Sequence, residues 1–428
     1  MSRWREFTAA NNLRWPLANV AGAAHPKEEP MQAGAPGESA HVPALDGIRG
    51  VAILLVVIYH FASSMEFLGV KSPLLSPWDF GWGGVDVFFT LSGFLITGIL
   101  LDTKASPGYF KAFYARRVLR IFPLYYGALF VVMILRAILP SAGIWGIQTG
   151  IFSPGSYFWT LLFLQNAAVA IHGSDASGVL THYWSLGVEE YFYLLWPLLV
   201  WLLSRRLLGV VSAMAICASI VGRLLVLRHG LNTGFVFGLT PLRLDGLALG
   251  ALAAILIRVH DPRRLRGGAV FVFTAAMAAL IAMFWGRGTA DQSDPLNWMV
   301  SYPAISVATA ALLVLCCAGG MVAIVFSARI LRWFGRYSYG LYVWHPITGM
   351  LLFHSAVSIV PRGAGAGLVT IIALGVFALD LVIAWASYQF WEKRFLRLKR
   401  YFPTDTQAAG PEWNAPPLSA EHGSLRTG

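Results

Sequence analysis

Apolar residues in this chain gather in long runs and do not alternate with polar ones. The period-two pattern of a membrane β-barrel is therefore missing. Ten runs approach the roughly 20 residues that a helix needs to cross a hydrocarbon core. They cover 47–65, 83–101, 120–139, 186–204, 207–226, 240–258, 268–286, 300–325, 337–356 and 366–390. The pattern predicts an all-α, polytopic membrane helix bundle of about ten transmembrane helices. An eleventh run, SYFWTLLFLQNAAVAI at 156–171, is apolar but short. If it crossed, every later basic loop would change sides. It reads as a re-entrant or surface-lying piece on the outer side.

Composition agrees with a bilayer as solvent: 57% of residues are hydrophobic and 12% are charged, about half the charged share of a soluble protein. The formal charge of +11 raises nucleic acid as a partner, but the basic residues lie in short clusters between apolar runs. Such clusters orient a membrane protein. With the N-terminus in the cytoplasm, 25 of the 32 Lys and Arg residues fall on the cytoplasmic side, and both termini lie there. Residues 1–43 and 401–428 read as disordered cytoplasmic tails, with the membrane domain at 44–400 and no fused soluble domain. Cys217, Cys316 and Cys317 form no CxxC pair, so neither a disulfide framework nor a metal site is expected.

Polar groups inside the apolar runs are costly and normally face a protein interior or a wet cavity. In IRGVAILLVVIYHF, Arg49 and His60 are eleven residues apart. That is about 20° past three helical turns, so they share one face about 16 Å apart along the axis. Asp46 shares that face, and an Asp46–Arg49 pair at the helix end is the simpler reading for those two. Asp86 begins the run GVDVFFTLSGFLITGILL, in which Ser92 and Gly93 suit close helix packing. Arg116, Arg117 and Arg120 lie in YFKAFYARRVLRIFPLYY. They are either positive-inside anchors or a phosphate clamp built from guanidinium forks. In LTHYWSLGVEEYFYLLWP, Ser185 and Glu189 share a face that Tyr193 continues. A later pair of runs carries Arg243 and Asp245, then Tyr342 and His345 before Pro346. A packing role for His345, with its ring on a backbone carbonyl, is weighed slightly ahead of a chemical one.

Taken together and in order, these stretches resemble the membrane acyltransferase 3 family, the bacterial integral-membrane O-acyltransferases that modify glycans. The resemblance runs from about Ala44 to Phe395 through ALDGIRGVAILLVVIYHF, DVFFTLSGFLIT, YARRVLRIFPLYY, LLFLQN, WSLGVEEYFYLLWP, RLDGLALG and GRYSYGLYVWHP. It implies a ten-helix, multi-pass protein of the cell inner membrane, with acyl-CoA, commonly acetyl-CoA, as donor. The acceptor it implies is a hydroxyl of a carbohydrate or lipid-linked glycan. The family's Arg–His pattern falls on Arg49 and His60, its basic patch on Arg116, Arg117 and Arg120, and its glutamate on Glu189. Tyr191 stands where the family often has Gln, and Arg394 where it often has Pro. The esterase-like domain that some members add is not read here.

The expected mechanism has Arg49, Arg116, Arg117 and Arg120 holding the donor. His60 and Glu189 are the catalytic pair: the imidazole is a general base or an acyl carrier, and the carboxylate orients it. Asp86, Ser185, Arg243, Asp245 and His345 are the candidate acceptor-binding residues. No metal takes part. The competing class is a transporter or flippase using the same residues, whose mark would be an internal repeat, and none is read between the two halves.

Overall fold

Helices account for nearly all the secondary structure, and no strand occurs among the described residues. A computed structural model describes residues 42–67, 76–138, 154–172, 180–232, 234–287, 294–349, 352 and 366–404. The tails expected to be disordered lie almost wholly outside this set.

The helices are α1 (Pro43–Phe67), α2 (Gly84–Asp102), α3 (Tyr109–Ile138), α4 (Pro154–Leu161), α5 (Gln165–His172), α6 (Trp184–Leu202), α7 (Arg205–Arg228) and α8 (Gly234–Gly238). They continue as α9 (Leu244–Val259), α10 (Pro262–Arg287), α11 (Tyr302–Cys317), α12 (Met321–Phe326) and α13 (Arg329–Thr348). The last two are α14 (Ala366–Ser387) and α15 (Lys393–Arg397), followed by a tight turn at Leu398–Tyr401.

Each of the ten expected spans overlaps at least one helix, with the end of 337–356 outside the described residues. Seven stretches, starting at Pro43, Phe80, Tyr109, Arg205, Pro262, Asn297 and Gly367, are long and apolar enough to cross a membrane. The other three expected spans fall on α6, α9 and α13. Those helices are short or polar for a physical reason: α9 has 16 residues, α6 carries two glutamates and α13 opens on three arginines. Helices α9 and α13 are largely buried in the bundle, whereas α6 buries one face and exposes Leu194, Leu195 and Leu198 on the other.

Boundaries depart from the apolar runs where backbone chemistry intervenes. The run 300–325 is not one helix: Gly319 and Gly320 adopt φ values of 77° and 86°. This left-handed region is open to glycine at little cost, and it separates α11 from α12. Helix α3 starts eleven residues before the expected span and has 30 residues, or about 45 Å. A helix of that length exceeds a core of about 30 Å. The run 156–171 breaks into α4 and α5, each of eight residues and about 12 Å long.

The centre of the bundle is α1 against α13 and α2 against α9. The α2–α9 crossing is a backbone contact. A Cβ on Gly93 would lie 1.9 Å from the Leu247 carbonyl oxygen, and one on Gly250 would lie 1.9 Å from that of Thr90. Only glycine permits that approach, and with it the close packing expected of Gly93. Outward-facing side chains such as Phe130, Leu194, Phe271, Trp285 and Leu374 are apolar and exposed, as lipid contact requires.

Candidate active site

Between α1, α2, α3, α6 and α13 lies a cavity of about 110 Å³. A single water needs roughly 10–15 Å³, so the space holds several. Its walls include Arg49, Arg117, Arg120, Glu189, Ser92 and Ser185. Along α2 the lining runs from Val85 to Ile96, about 16 Å of helix.

The polar groups in this cavity are tied to one another. Arg49 donates to Asp46 at 3.0 Å, the pair expected at this helix end. The Tyr193 hydroxyl donates to Glu189 Oε2 at 3.0 Å. Its oxygen is 2.5 Å from Ser92 Oγ. Tyr193 has one proton and spends it on Glu189, so Ser92 is the donor in the second bond. The Arg117 guanidinium lies 5.5 Å from the centre of the Tyr193 ring. Glu189 therefore has partners, as a carboxylate inside the bundle requires.

At the far end Ser185 and Tyr342 close the space. Their oxygens are 2.5 Å apart, and the Tyr342 hydroxyl donates to the His182 carbonyl at 2.7 Å. Beyond Tyr342 lies a pair of imidazoles. The His345 ring is 6.0 Å from that of Tyr342 and 5.0 Å from that of His60. His60 Nδ1 lies 2.8 Å from the Val56 carbonyl, and His345 Nδ1 lies 2.8 Å from the Leu341 carbonyl. A carbonyl only accepts, so each Nδ1 carries the proton and each neutral ring keeps its lone pair on Nε2. His345 is 2% exposed, and its Nε2 has no hydrogen-bond partner.

The expected site residues thus divide into three groups. Arg49, Arg117, Arg120, Glu189 and Ser185 meet at the cavity; His60 and His345 meet beyond it. Asp86, Arg243 and Asp245 do neither. Arg243 Nη2 donates to Asp86 at 2.8 Å, and Arg223 Nη2 donates to Asp245 at 2.6 Å. Both pairs are almost completely buried, and the Arg243 guanidinium lies 4.0 Å above the Tyr302 ring. Arg116 also lies off the cavity, donating to the Phe402 carbonyl at 3.2 Å. The expected contact between Glu189 and His60 is replaced by other partners. Backbone orients the imidazole, because Val56, one turn earlier on α1, offers its carbonyl. Glu189 instead sits at the level of Arg49 and Arg117.

Sequence reading passed over Asp380, which is fully buried in α14 and accepts a hydrogen bond from Thr348 Oγ1. Its signal was a lone carboxylate among 22 otherwise uncharged residues. No group of His, Cys, Asp and Glu suited to a metal occurs among the described residues.

Comparison with known proteins gives a consistent set of relatives. Residues 42–392 match the family model of the acyltransferase 3 domain. A Bacillus subtilis protein named as a candidate peptidoglycan O-acetyltransferase is 28% identical over 328 residues, which cover 71% of this chain and 48% of the relative. A peptidoglycan O-acetyltransferase of Listeria monocytogenes is 27% identical over 318 residues, covering 71% and 49%. A candidate O-acetyltransferase of Staphylococcus aureus is 26% identical over 372 residues, covering 83% and 57%. The match thus spans about half the length of these relatives. No solved structure matches the chain.

Proposed function

The chain belongs to the acyltransferase 3 family, and from that premise we propose that it moves an acetyl group from cytoplasmic acetyl-CoA to a hydroxyl of an extracytoplasmic glycan. The observation that carries this reading is a cavity with three arginines at one end and the His60–His345 pair behind its other end. Peptidoglycan is the acceptor named for two of the relatives and is the first acceptor to try.

In this reading ten helices cross the inner membrane, α4 and α5 dip in from outside, and both termini are cytoplasmic. The excess of Lys and Arg in the corresponding connections supports that orientation. Arg49, Arg117 and Arg120 hold the donor's pyrophosphate, since guanidinium forks match phosphate oxygens. The pantetheine arm runs along α2 past Ser92 to the Ser185–Tyr342 bond. Rotation of Tyr342 opens the last step to His60.

The acceptor hydroxyl then gives its proton to His60 Nε2, the nitrogen left basic by the bond to Val56. Its oxygen forms the new ester bond as the carbon–sulfur bond breaks. The departing thiolate takes the proton back from the imidazolium, which releases CoA and returns His60 to its starting state. Glu189 and Tyr193 set the charge balance around the donor. Asp86–Arg243 and Asp245–Arg223 brace the helices that form the walls.

Thioester consumption by the purified protein, with and without peptidoglycan fragments, tests the reading. Acceptor-dependent release of CoA is expected. A protein that never consumes acetyl-CoA in the presence of any glycan would exclude it.

A further inference from the structure

Past the cavity, the polypeptide that follows α14 returns along the start of α3. Trp391 Nε1 donates to the Pro123 carbonyl at 2.9 Å. Eleven residues later the Phe402 carbonyl accepts from Arg116 at 3.2 Å. Between these two anchors, α15 and the turn Leu398–Tyr401 pack on α3. The half-buried Lys399 is thereby brought beside Arg120, Arg117 and Arg116.

This arrangement gathers four basic groups: burial and the neighbouring arginines lower the Lys399 pKa to about 6, so its amine takes up a proton as an anion arrives. Arg117 has Glu189 and Glu190 within its field, and Arg120 has Glu392. Among the described residues no carboxylate pairs with Arg116 or Lys399. Like charges held together in a partly buried place repel each other, and an anion would relieve them. The two cations are also displaced from the cavity. Arg116 precedes Arg120 by four residues, about 6 Å nearer the start of α3, and it does not line the cavity.

We propose that Arg116 and Lys399 form a second phosphate seat, on the cytoplasmic side of the cavity arginines, for the ribose 3′-phosphate of acyl-CoA. This rests on the donor reading above and deepens it. Thioesters carried on 4′-phosphopantetheine end before that phosphate, so the seat selects CoA thioesters over carrier-bound ones. The C-terminal turn becomes part of the donor site. The same cations could instead serve lipid headgroup phosphates, which share the chemistry, and the test separates the two sources.

The experiment is a binding titration of the full chain in nanodiscs, using acetyl-CoA and 3′-dephospho-acetyl-CoA. Wild type should prefer acetyl-CoA by about ten- to a hundred-fold, the range for one charge-assisted bond. Lys399→Gln, which leaves Arg116 as the seat's one cation, should sharply reduce that preference while leaving the Kd of the dephospho donor unchanged. The unchanged Kd also reports an intact fold. Lys399→Arg should keep the preference. Equal wild-type affinity for the two donors would overturn the proposal, as would a Lys399→Gln effect of the same size on both. A Lys399 effect seen only in anionic-lipid nanodiscs, and alike for both donors, would overturn it in favour of lipid. Failure of wild type to bind either donor would remove the donor reading, and the seat with it.

Discussion

The imidazoles of His60 and His345 meet edge to face, their centroids 5.0 Å apart and their planes at 71°. Each ring is oriented by the carbonyl four residues earlier on its own helix. Two lone pairs on Nε2 thus belong to neighbouring rings on α1 and α13, and neither depends on an acidic side chain for its tautomer. In the proposed mechanism this presents a base inside a bundle where a carboxylate would be costly.

His60→Ala should lower kcat by about 10²–10⁴, the range for a positioned acid–base group, with insertion and donor affinity unchanged. His345→Phe keeps a flat ring at the contact but removes Nε2, so it separates packing from chemistry. Steady-state rates in nanodiscs, with donor Kd measured in parallel, check both variants. Near-normal turnover in folded His60→Ala would take the base away from this histidine, and in His345→Phe would confine His345 to packing.

Much of this site was legible because helical periodicity is rigid. An eleven-residue interval returns to one face of a helix, so Arg49 and His60 line up wherever α1 goes. The close approach at Gly93 is also written as a small residue in an apolar run. Partner choice between helices was not legible. Glu189 could face either end of the site, and its bond to Tyr193 at the level of Arg49 depends on how α6 rotates against α2. Asp86 and Asp245 read as ligand groups because Arg223, the partner of Asp245, sits 22 residues earlier in another run. Nothing in a one-dimensional pattern joins them. Lys399 was hidden for a similar reason: it reads as one more cytoplasmic charge until the chain is seen to turn back on α3.

Replacing both Arg117 and Arg120 with Lys keeps the charge that orients the membrane domain but removes the paired N–H donors. The donor KM should rise about ten- to a hundred-fold, with little change in the acceptor KM, because in the proposed mechanism the acceptor arrives on the other side. Acetyl-CoA titration of the double variant gives the answer. If only the acceptor KM moves, the two faces of the membrane have been assigned the wrong way round.

Helices α4 and α5 meet at Phe163, whose φ of 58° is left-handed and rare for a bulky residue. The Phe163 ring stacks on that of Tyr125 at 3.9 Å, which holds the break in place. Two short helices joined at such a bend do not make one straight crossing. Single cysteines at His172 and Leu231 should therefore both react with an impermeant thiol reagent added from outside, in a background lacking the native cysteines. Protection of both from that reagent, with labelling only after permeabilisation, would mean that 156–171 crosses and that every later connection changes sides.

The last prediction concerns stability. Asp86 and Arg243 form a pair in which each side chain is 2% exposed or less, joining α2 to the start of α9. Removing one member leaves the other as an uncompensated buried charge, which in proteins costs about 3–5 kcal/mol. Arg243→Met should thus lower the melting temperature in detergent sharply and reduce the folded yield. The double variant Asp86→Leu, Arg243→Met removes both charges and fills the space with apolar groups. Such replacements are often neutral or stabilising, so the double variant should recover most of the loss. Activity separates this role from acceptor binding: a double variant that is stable and turns over normally has lost only a brace. If the double variant recovers its melting temperature but shows a raised acceptor KM, the pair also takes part in acceptor recognition. If it is no more stable than Arg243→Met, the pair is held by more than mutual charge, and the stacking of Arg243 on Tyr302 becomes the dominant contact.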